Sequence, residues 1–377
     1  MGNMIDNAVS RRLNDAKNPV AASPKSVFTM SSKQFTPAAT IKDVAEHAGV
    51  SVMTVSNVLR GRGRVSEETR QRVLEVVERQ GYRPNLTARA LVERKAPTLA
   101  LMLSCITNPF YPEFTLAANL SALKHQRHLL VCNTDHEPDR GTRFLEQVAG
   151  SLSDGVLVAN YADLPIDELR RLQRRGVPVV ISVWELPDEP PGIPCVTFDS
   201  KGAGKLAAQH LVEYGHRRIG AIIGSSRNGI HRARYDGFRE VMREARIRHL
   251  AADERFTQDS FEDGYEAAKH LLSARPDLTA LFVSNDLPAL GVLNAASDLG
   301  YSVPDDLSIV SITDIIPARQ SRPGLTTVAI PTAELAEQGI GLLIELMAGR
   351  ANESTVIHTS PPKLIVRGST ARATVSP

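Results

Sequence analysis

The chain of 377 residues is poor in the groups that staple, anchor or power a protein. It has three cysteines, Cys105, Cys132 and Cys195, far apart and without a CxxC pair. A disulfide framework and a zinc site of the usual spacing are thereby disfavoured, and a reducing compartment is the natural reading. No apolar run reaches the roughly 18 residues a membrane span needs. The first residues, "MGNMIDNAVSRRLNDAKNPV", lack the apolar core of a secretory signal, so the chain reads as cytoplasmic. Also missing are a GxxxxGK loop, a complete GxGxxG after a strand, HExxH and GxSxG. Without them, nucleotide-dependent chemistry, zinc proteolysis and serine hydrolysis lack their recognisable machinery. The "GAGK" at 202–205 is too short, and His210 and His216 read as surface or interhelix residues rather than a catalytic pair. No catalytic residue, metal site or cofactor is expected.

Charge is scarce in net terms, +2, but unevenly placed. Residues 40–95 carry 11 Lys/Arg against 7 Asp/Glu, and residues 96–377 carry 28 against 33. A basic N-terminal piece on an acidic body suggests an electrostatic partner for the first piece only.

Residues 1–39 are polar and aperiodic and read as a disordered tail, with Met30 an alternative start. Three short helical patterns follow. Thr40 and Asp43 resemble a capping box opening a helix over 41–47. Gly49 makes a turn, and Ser51 can cap a second helix, "VMTVSNVL", over 52–59. Ser66 opens a third, with Glu67 and Glu68 suiting its N-terminal dipole, Val73, Val76 and Val77 its apolar line, and Gly81 its end. Helix, glycine turn and helix at 41–59 have helix-turn-helix spacing. This makes sense of the second helix. It is a poor helix former, but a recognition helix must fit a groove about 12 Å wide, which favours small polar side chains. Ser51, Thr54 and Ser56 suit phosphates. Val52, Met53 and Asn57 suit base edges, and Arg60, Arg62 and Arg64 flank the phosphate backbone. The competing reading is a small helical bundle with a solvated polar face.

From 98 onward, apolar strands alternate with amphipathic helices. Strand-like runs lie at 98–104, 128–133, 155–160, 178–183, 195–198, 218–224, 280–285 and 307–312, with a last strand near 363–367. That alternation means parallel sheets with right-handed crossovers, and its length fits two lobes with a cleft between them.

The stretch "TIKDVAEHAGVSVMTVSNVLRGRGRVSEETRQRVLEVVERQGYRPNLTARAL" resembles the head-piece and hinge of the LacI/GalR family. The likeness continues in "NPFYPE", "DGVLV", "GHRRIGAI", "SNDLPALGVL", "VPDDLSIVSI" and "PGLTTVAI". It implies an N-terminal all-α helix-turn-helix head plus an α/β two-lobed periplasmic-binding-protein-like domain. The division is a head at 40–82, a hinge helix at 83–97, an effector-binding and dimerisation body at 98–370 and a tail at 371–377. It further implies a homodimer on a double-stranded, pseudo-palindromic operator. Val52 and Met53 take the main base-reading positions. Asn57 stands where many members carry arginine, so the half-site preference should differ there. Asn85, Ala88 and Leu91 fall on one face of the hinge helix, with Leu91 as the minor-groove wedge. Ordinary interdomain packing is the alternative for Leu91.

In the cleft, the resemblance implies that Phe110, Tyr111 and Trp184 cover a ligand ring. It also implies that Arg234 holds ligand oxygens and that Asp286 accepts from ligand hydroxyls. Alternatively, the aromatics are core, and Arg234 and Asp286 pair with each other. Val183 and Thr313 occupy positions that are often acidic. With Arg232 and Arg234 nearby, this leans towards an anionic effector, a sugar acid rather than a sugar. The reading is a ligand-responsive transcriptional regulator. A sugar-binding protein or carbohydrate-active enzyme without a DNA role is the rival, and the absent signal and the helix-turn-helix oppose it. The C-terminus lacks a leucine heptad, so a dimer is expected over a tetramer.

Overall fold

A computed structural model describes residues 39–83, 98–149, 152–159, 164–186, 188–227 and 229–373. The chain divides into two compact units, Met1–Pro84 and Asn85–Pro377.

In the first unit, α1 (Ile41–Ala48) opens on the Thr40/Asp43 capping box and closes on Gly49 in the left-handed region at φ 64°. Helix α2 (Val52–Leu59) is capped by Ser51, whose Oγ accepts from the Thr54 backbone. Helix α3 (Glu67–Gln80) is capped by Ser66 and ends at Gly81. Val44, Ala45 and Ala48 of α1, Val55 and Val58 of α2 and Val73 and Val76 of α3 form one buried cluster. Burying a valine contributes about 1.5 kcal/mol or more. Tertiary packing, not propensity, therefore holds α2.

The second unit has two lobes, each around a six-stranded sheet. The first lobe comprises β1 (Thr98–Leu103), α4 (Phe110–Lys124), β2 (His128–Asn133), α5 (Pro138–Val148), β3 (Val156–Val158), α6 (Ile166–Arg174), β4 (Val179–Trp184) and β5 (Cys195–Thr197). The chain then enters the second lobe. This holds α7 (Ser200–Glu213), β6 (Ile219–Ile223), α8 (Arg232–Glu244), β7 (Glu254–Phe256), α9 (Phe261–Ala274), β8 (Ala280–Val283), α10 (Asp286–Asp298), β9 (Ser308–Thr313), α11 (Ile316–Gln320) and β10 (Thr326–Ala329). It returns to the first lobe for α12 (Thr332–Met347) and β11 (Val356–His358), and ends in the second with β12 (Lys363–Ile365). Strand orders are β11-β5-β4-β3-β1-β2 and β12-β10-β9-β8-β6-β7. Every pairing is parallel except β10 with β12.

The sequence reading omits β7 (ERF), β10 (TTVA) and β11 (VIH), short strands whose mixed composition does not write a continuous apolar run. The "GAGK" glycines find a packing role. A Cβ at Gly204 would lie 1.9 Å from the Arg234 carbonyl oxygen, and one at Gly237 2.1 Å from that of Lys201. Glycine on both helices lets α7 and α8 touch backbone to backbone, and this close approach sets where Arg234 stands. Among the described residues, no helix is long and apolar enough to cross a membrane.

Candidate functional site

On the head, Val52 and Met53 are 41% and 69% exposed, unusual for apolar side chains with a core beside them. They stand on the first turn of α2. Ser51 is exposed but already engaged, its Oγ 2.9 Å from Thr54 Oγ1. Thr54, Ser56, Asn57 and Arg60 are half-buried. Asn57 leans over the following loop: a Cβ at Gly63 would come within 3.2 Å of its Nδ2. Glycine at 63, with φ 79°, therefore makes room for Asn57. Asn85, Ala88 and Leu91 lie outside the described residues.

In the body, a cleft of about 1080 Å³ separates the lobes, large enough for a small organic ligand. Its polar groups sit just beyond the carboxyl ends of parallel strands, where α/β sheets offer side chains and backbone to ligands. Ser104 follows β1, Glu185 β4, Gly224 β6 and Asp259 β7. Asn285 follows β8, and Thr313 ends β9. Phe110, Tyr111, Val183 and Ile330 give the cleft apolar surface, with Phe110 and Tyr111 edge to face at 5.2 Å.

Two fixed networks frame it. Arg234 and Glu185, each 3% exposed, pair in bidentate fashion across the lobes. Nη2 donates to Oε1 at 2.7 Å and Nε to Oε2 at 3.1 Å. Ser200 Oγ donates to Glu185 Oε2 at 2.7 Å, and Arg234 Nη1 to the Ser284 carbonyl at 2.9 Å. In the second network Thr313 Oγ1 donates to Asn285 Oδ1 at 2.6 Å, as does the Asp286 backbone at 2.9 Å. Those donors fix the Asn285 amide, so its Nδ2 donates to Asp259 Oδ2 at 2.7 Å. Asn108 Nδ2, from the other lobe, lies 3.4 Å from the same oxygen. Thr313 holds φ 137° and Asp314 φ 68°. A β-branched residue rarely adopts such a backbone, which persists here because Arg367 clamps Asp314 at 2.6 Å and Asp286 holds the Ile315 backbone at 2.9 Å.

Residues 40–85 match the family described as bacterial regulatory proteins, lacI family, and residues 208–370 match a periplasmic binding protein-like domain. The chain is 34% identical over 337 residues to the HTH-type transcriptional repressor PurR of Mannheimia succiniciproducens, spanning 88% of this chain and 98% of that one. It is 35% identical over 341 residues to the HTH-type transcriptional regulator DegA of Bacillus subtilis, with the same coverage. The chain belongs to the LacI family. This LacI-family chain is also similar to the solved transcriptional regulator CelR–cellobiose complex, at TM-score 0.67 and 28% identity over 88% of this chain and 99% of that one. It is a DNA-binding transcriptional repressor with a ligand-binding domain, and the relatives named are regulators, not enzymes.

Of the site residues expected in the regulator's cleft, Phe110, Tyr111, Arg234 and Thr313 line it. The other three do not. Trp184 is buried in the first lobe, its indole nitrogen donating to the Leu186 and Glu189 carbonyls at 2.6 and 3.1 Å. Arg232 turns to Glu189 at 2.5 Å. Asp286 lies behind the wall, accepting from Ser311 Oγ and Thr327 Oγ1 at 2.6 Å each and from the Ile315 backbone. Burial pushes the Asp286 carboxyl above its ordinary range, against those three donors. Arg234 and Asp286 do not pair with each other. Arg234 is the one lysine or arginine lining the cleft among the described residues, and Glu185 neutralises it.

Residue-by-residue matching passes over Glu185, Asp259, Asn108, Asn285 and His231. His231 Nδ1 lies 3.1 Å from Ser284 Oγ, and burial, with Arg234 beside it, holds its pKa well below the ordinary value, so the ring is neutral. Asp259 is pushed up to about 6, chiefly by burial, against the Asn285 hydrogen bond and Arg234. A carboxyl that binds its proton more tightly when folded costs stability above its folded pKa and nothing below its unfolded value. Between about pH 4 and 6 the regulator's stability should therefore fall as pH rises, by on the order of 2 kcal/mol from this group. Urea unfolding of the wild type and Asp259→Asn across that range checks it. A variant with an unchanged pH slope would refute the assignment.

Proposed function

We propose that the protein is a homodimeric repressor that binds a pseudo-palindromic operator and changes its operator affinity when a small carbohydrate occupies the cleft. The observation that carries the reading is the union in one chain of exposed apolar side chains at the start of a recognition helix and a polar cleft between two lobes. Val52 and Met53 read base edges. Ser51, Thr54, Ser56 and Arg60 approach the phosphates. Asn57 reads the next base from beside Gly63. Asn85, Ala88 and Leu91 are assigned to the minor groove on sequence alone.

Phe110 and Tyr111 offer ring faces and edges to a sugar, and Arg234 and Thr313 stand among its polar groups. The CelR–cellobiose complex is a similar protein with such a ligand, which supports a carbohydrate here. Lobe closure on the ligand moves the lobe ends and, with them, the hinge helices. Coupling of this kind is worth about 1–3 kcal/mol between sites. The chain acts in the cytoplasm and has no need of a metal or cofactor.

Operator selection from a random library, followed by mobility shift with and without sugars, tests the reading. Failure to enrich any palindromic site would overturn it. In the same selection Asn57→Arg should switch the preferred base at one half-site position towards guanine, since a bidentate arginine contact discriminates by about 1–3 kcal/mol. Identical base preferences for both proteins would remove Asn57 from the readout.

A further inference from the structure

Most buried polar atoms around the cleft are paired, so two that are not stand out. Ser104 Oγ, on a residue 3% exposed in the first lobe, has no hydrogen-bond partner. Asp259 Oδ1, in the second lobe, has none either. The Asp259 residue is partly exposed, but Oδ1 itself is buried beside Gly224, where a Cβ would approach it to 2.8 Å. Both residues line the same cleft. An unpaired buried acceptor costs free energy, and such groups persist in sites where a ligand satisfies them.

The two differ in chemistry. A serine hydroxyl donates or accepts, whereas an ionised carboxylate only accepts. Asp259 cannot turn its other oxygen to the cleft, because Asn285 and Asn108 supply that oxygen with donors. Oδ1 therefore demands a donor from the ligand.

We propose that Asp259 sets the chemical class of the effector, taking a hydrogen bond from a ligand hydroxyl or amine through Oδ1 while Ser104 engages the same ligand from the opposite lobe. The inference rests on the reading of the cleft as the effector site. It rejects carboxylate and phosphate ligands at this position, since an anionic oxygen would face an acceptor with no donor. It also makes binding proton-linked. The charged and titratable groups facing Asp259 are Arg234 of α8, Glu185 after β4 and His136 after β2. Arg234 and Glu185 are locked together, so the ligand's donor becomes the new stabiliser of the carboxylate. Binding then releases a proton at slightly acid pH, and affinity rises from pH 5.5 to 7.5.

The test uses the full chain, wild type and the Asp259→Asn and Ser104→Ala variants. The probes are ribose, glucose, cellobiose, glucosamine, gluconate and glucose 6-phosphate. Thermal unfolding without ligand comes first. Ser104→Ala removes an unsatisfied hydroxyl and Asp259→Asn removes a buried charge, so their Tm at pH 7.5 should equal or exceed the wild type's. A Tm lower by several degrees would make the residues structural and overturn the proposal.

Calorimetry follows. A neutral or amino sugar should bind the wild type. Asp259→Asn should weaken it tenfold or more, because Asn285 and Asn108 hold the new amide oxygen and its NH₂ faces the ligand. Wild-type affinity should drop severalfold at pH 5.5, and the variant's should not. Gluconate or glucose 6-phosphate as the tightest ligand, an unchanged Kd in Asp259→Asn, or no binding by any probe each overturns the assignment. Mobility shift separates the two readings. A sugar that obeys these rules yet leaves operator affinity unchanged sinks the regulatory reading and keeps Asp259. An anionic compound that shifts operator affinity through the cleft does the reverse.

Discussion

Glu185→Ala should destabilise the effector body by about 3–5 kcal/mol, because it strands the Arg234 guanidinium in a buried site without its carboxylate. The pair is bidentate, both residues are 3% exposed, and Ser200 completes the carboxylate's shell. Arg234 keeps one bond to the Ser284 carbonyl, which cannot balance a positive charge. Denaturant unfolding of the full chain reads the loss directly. The double variant Glu185→Ala/Arg234→Met should recover most of it, since removing both ions deletes the desolvation cost along with the attraction. A single variant that loses under 1 kcal/mol would show that the guanidinium finds water or another acceptor, and that the pair is not what joins the lobes.

That pair also measures what the sequence allowed. Val183 stands at an often acidic position, yet residues 183 and 185 share a face of an extended chain, since side chains alternate with period two. Glu185 returns the charge one step along the same face, and parity was the signal that could have found it. The same parity places Trp184 on the opposite face, in the first lobe's other apolar cluster, where residue-by-residue matching expected a ligand cover.

Parity was no help for Asp286. It begins α10, where an acidic residue is ordinary, and only the folded positions of Ser311, Thr327 and Ile315 reveal that its oxygens are spent. Asp259 and Asn108 sit on loops, which carry no periodicity. The lobes were legible for the opposite reason. Buried parallel strands write continuous apolar runs, and caps such as Thr40, Ser51 and Ser66 write helix starts. The strands β7, β10 and β11 are short and of mixed composition, so they write neither.

Leu116→Glu/Leu120→Glu should convert the protein to a monomer and reduce its operator affinity a hundredfold or more. Leu116, Leu120 and Leu123 are 62%, 52% and 46% exposed along one side of α4, and Val131, on the edge strand β2, is 45% exposed. Leucines exposed at i, i+4 and i+7 along one helix mark an interaction surface, and a second copy of the chain is the partner that the proposed palindromic operator requires. The substitution touches residues that contribute little to the core, so the far-ultraviolet dichroism should hold, and Tm should fall only by what dimerisation adds to the wild type. What disappears is the linkage of two heads. A tethered second head binds at an effective concentration in the millimolar range, and avidity from such tethering reaches about 10²–10⁴. Binding to random DNA, which rests on phosphate contacts here proposed for Arg60 and its neighbours, should change far less. Sedimentation and mobility shift together decide the matter. A variant that remains dimeric would place the interface elsewhere, and a monomer with undiminished operator affinity would show that the heads do not act as a pair.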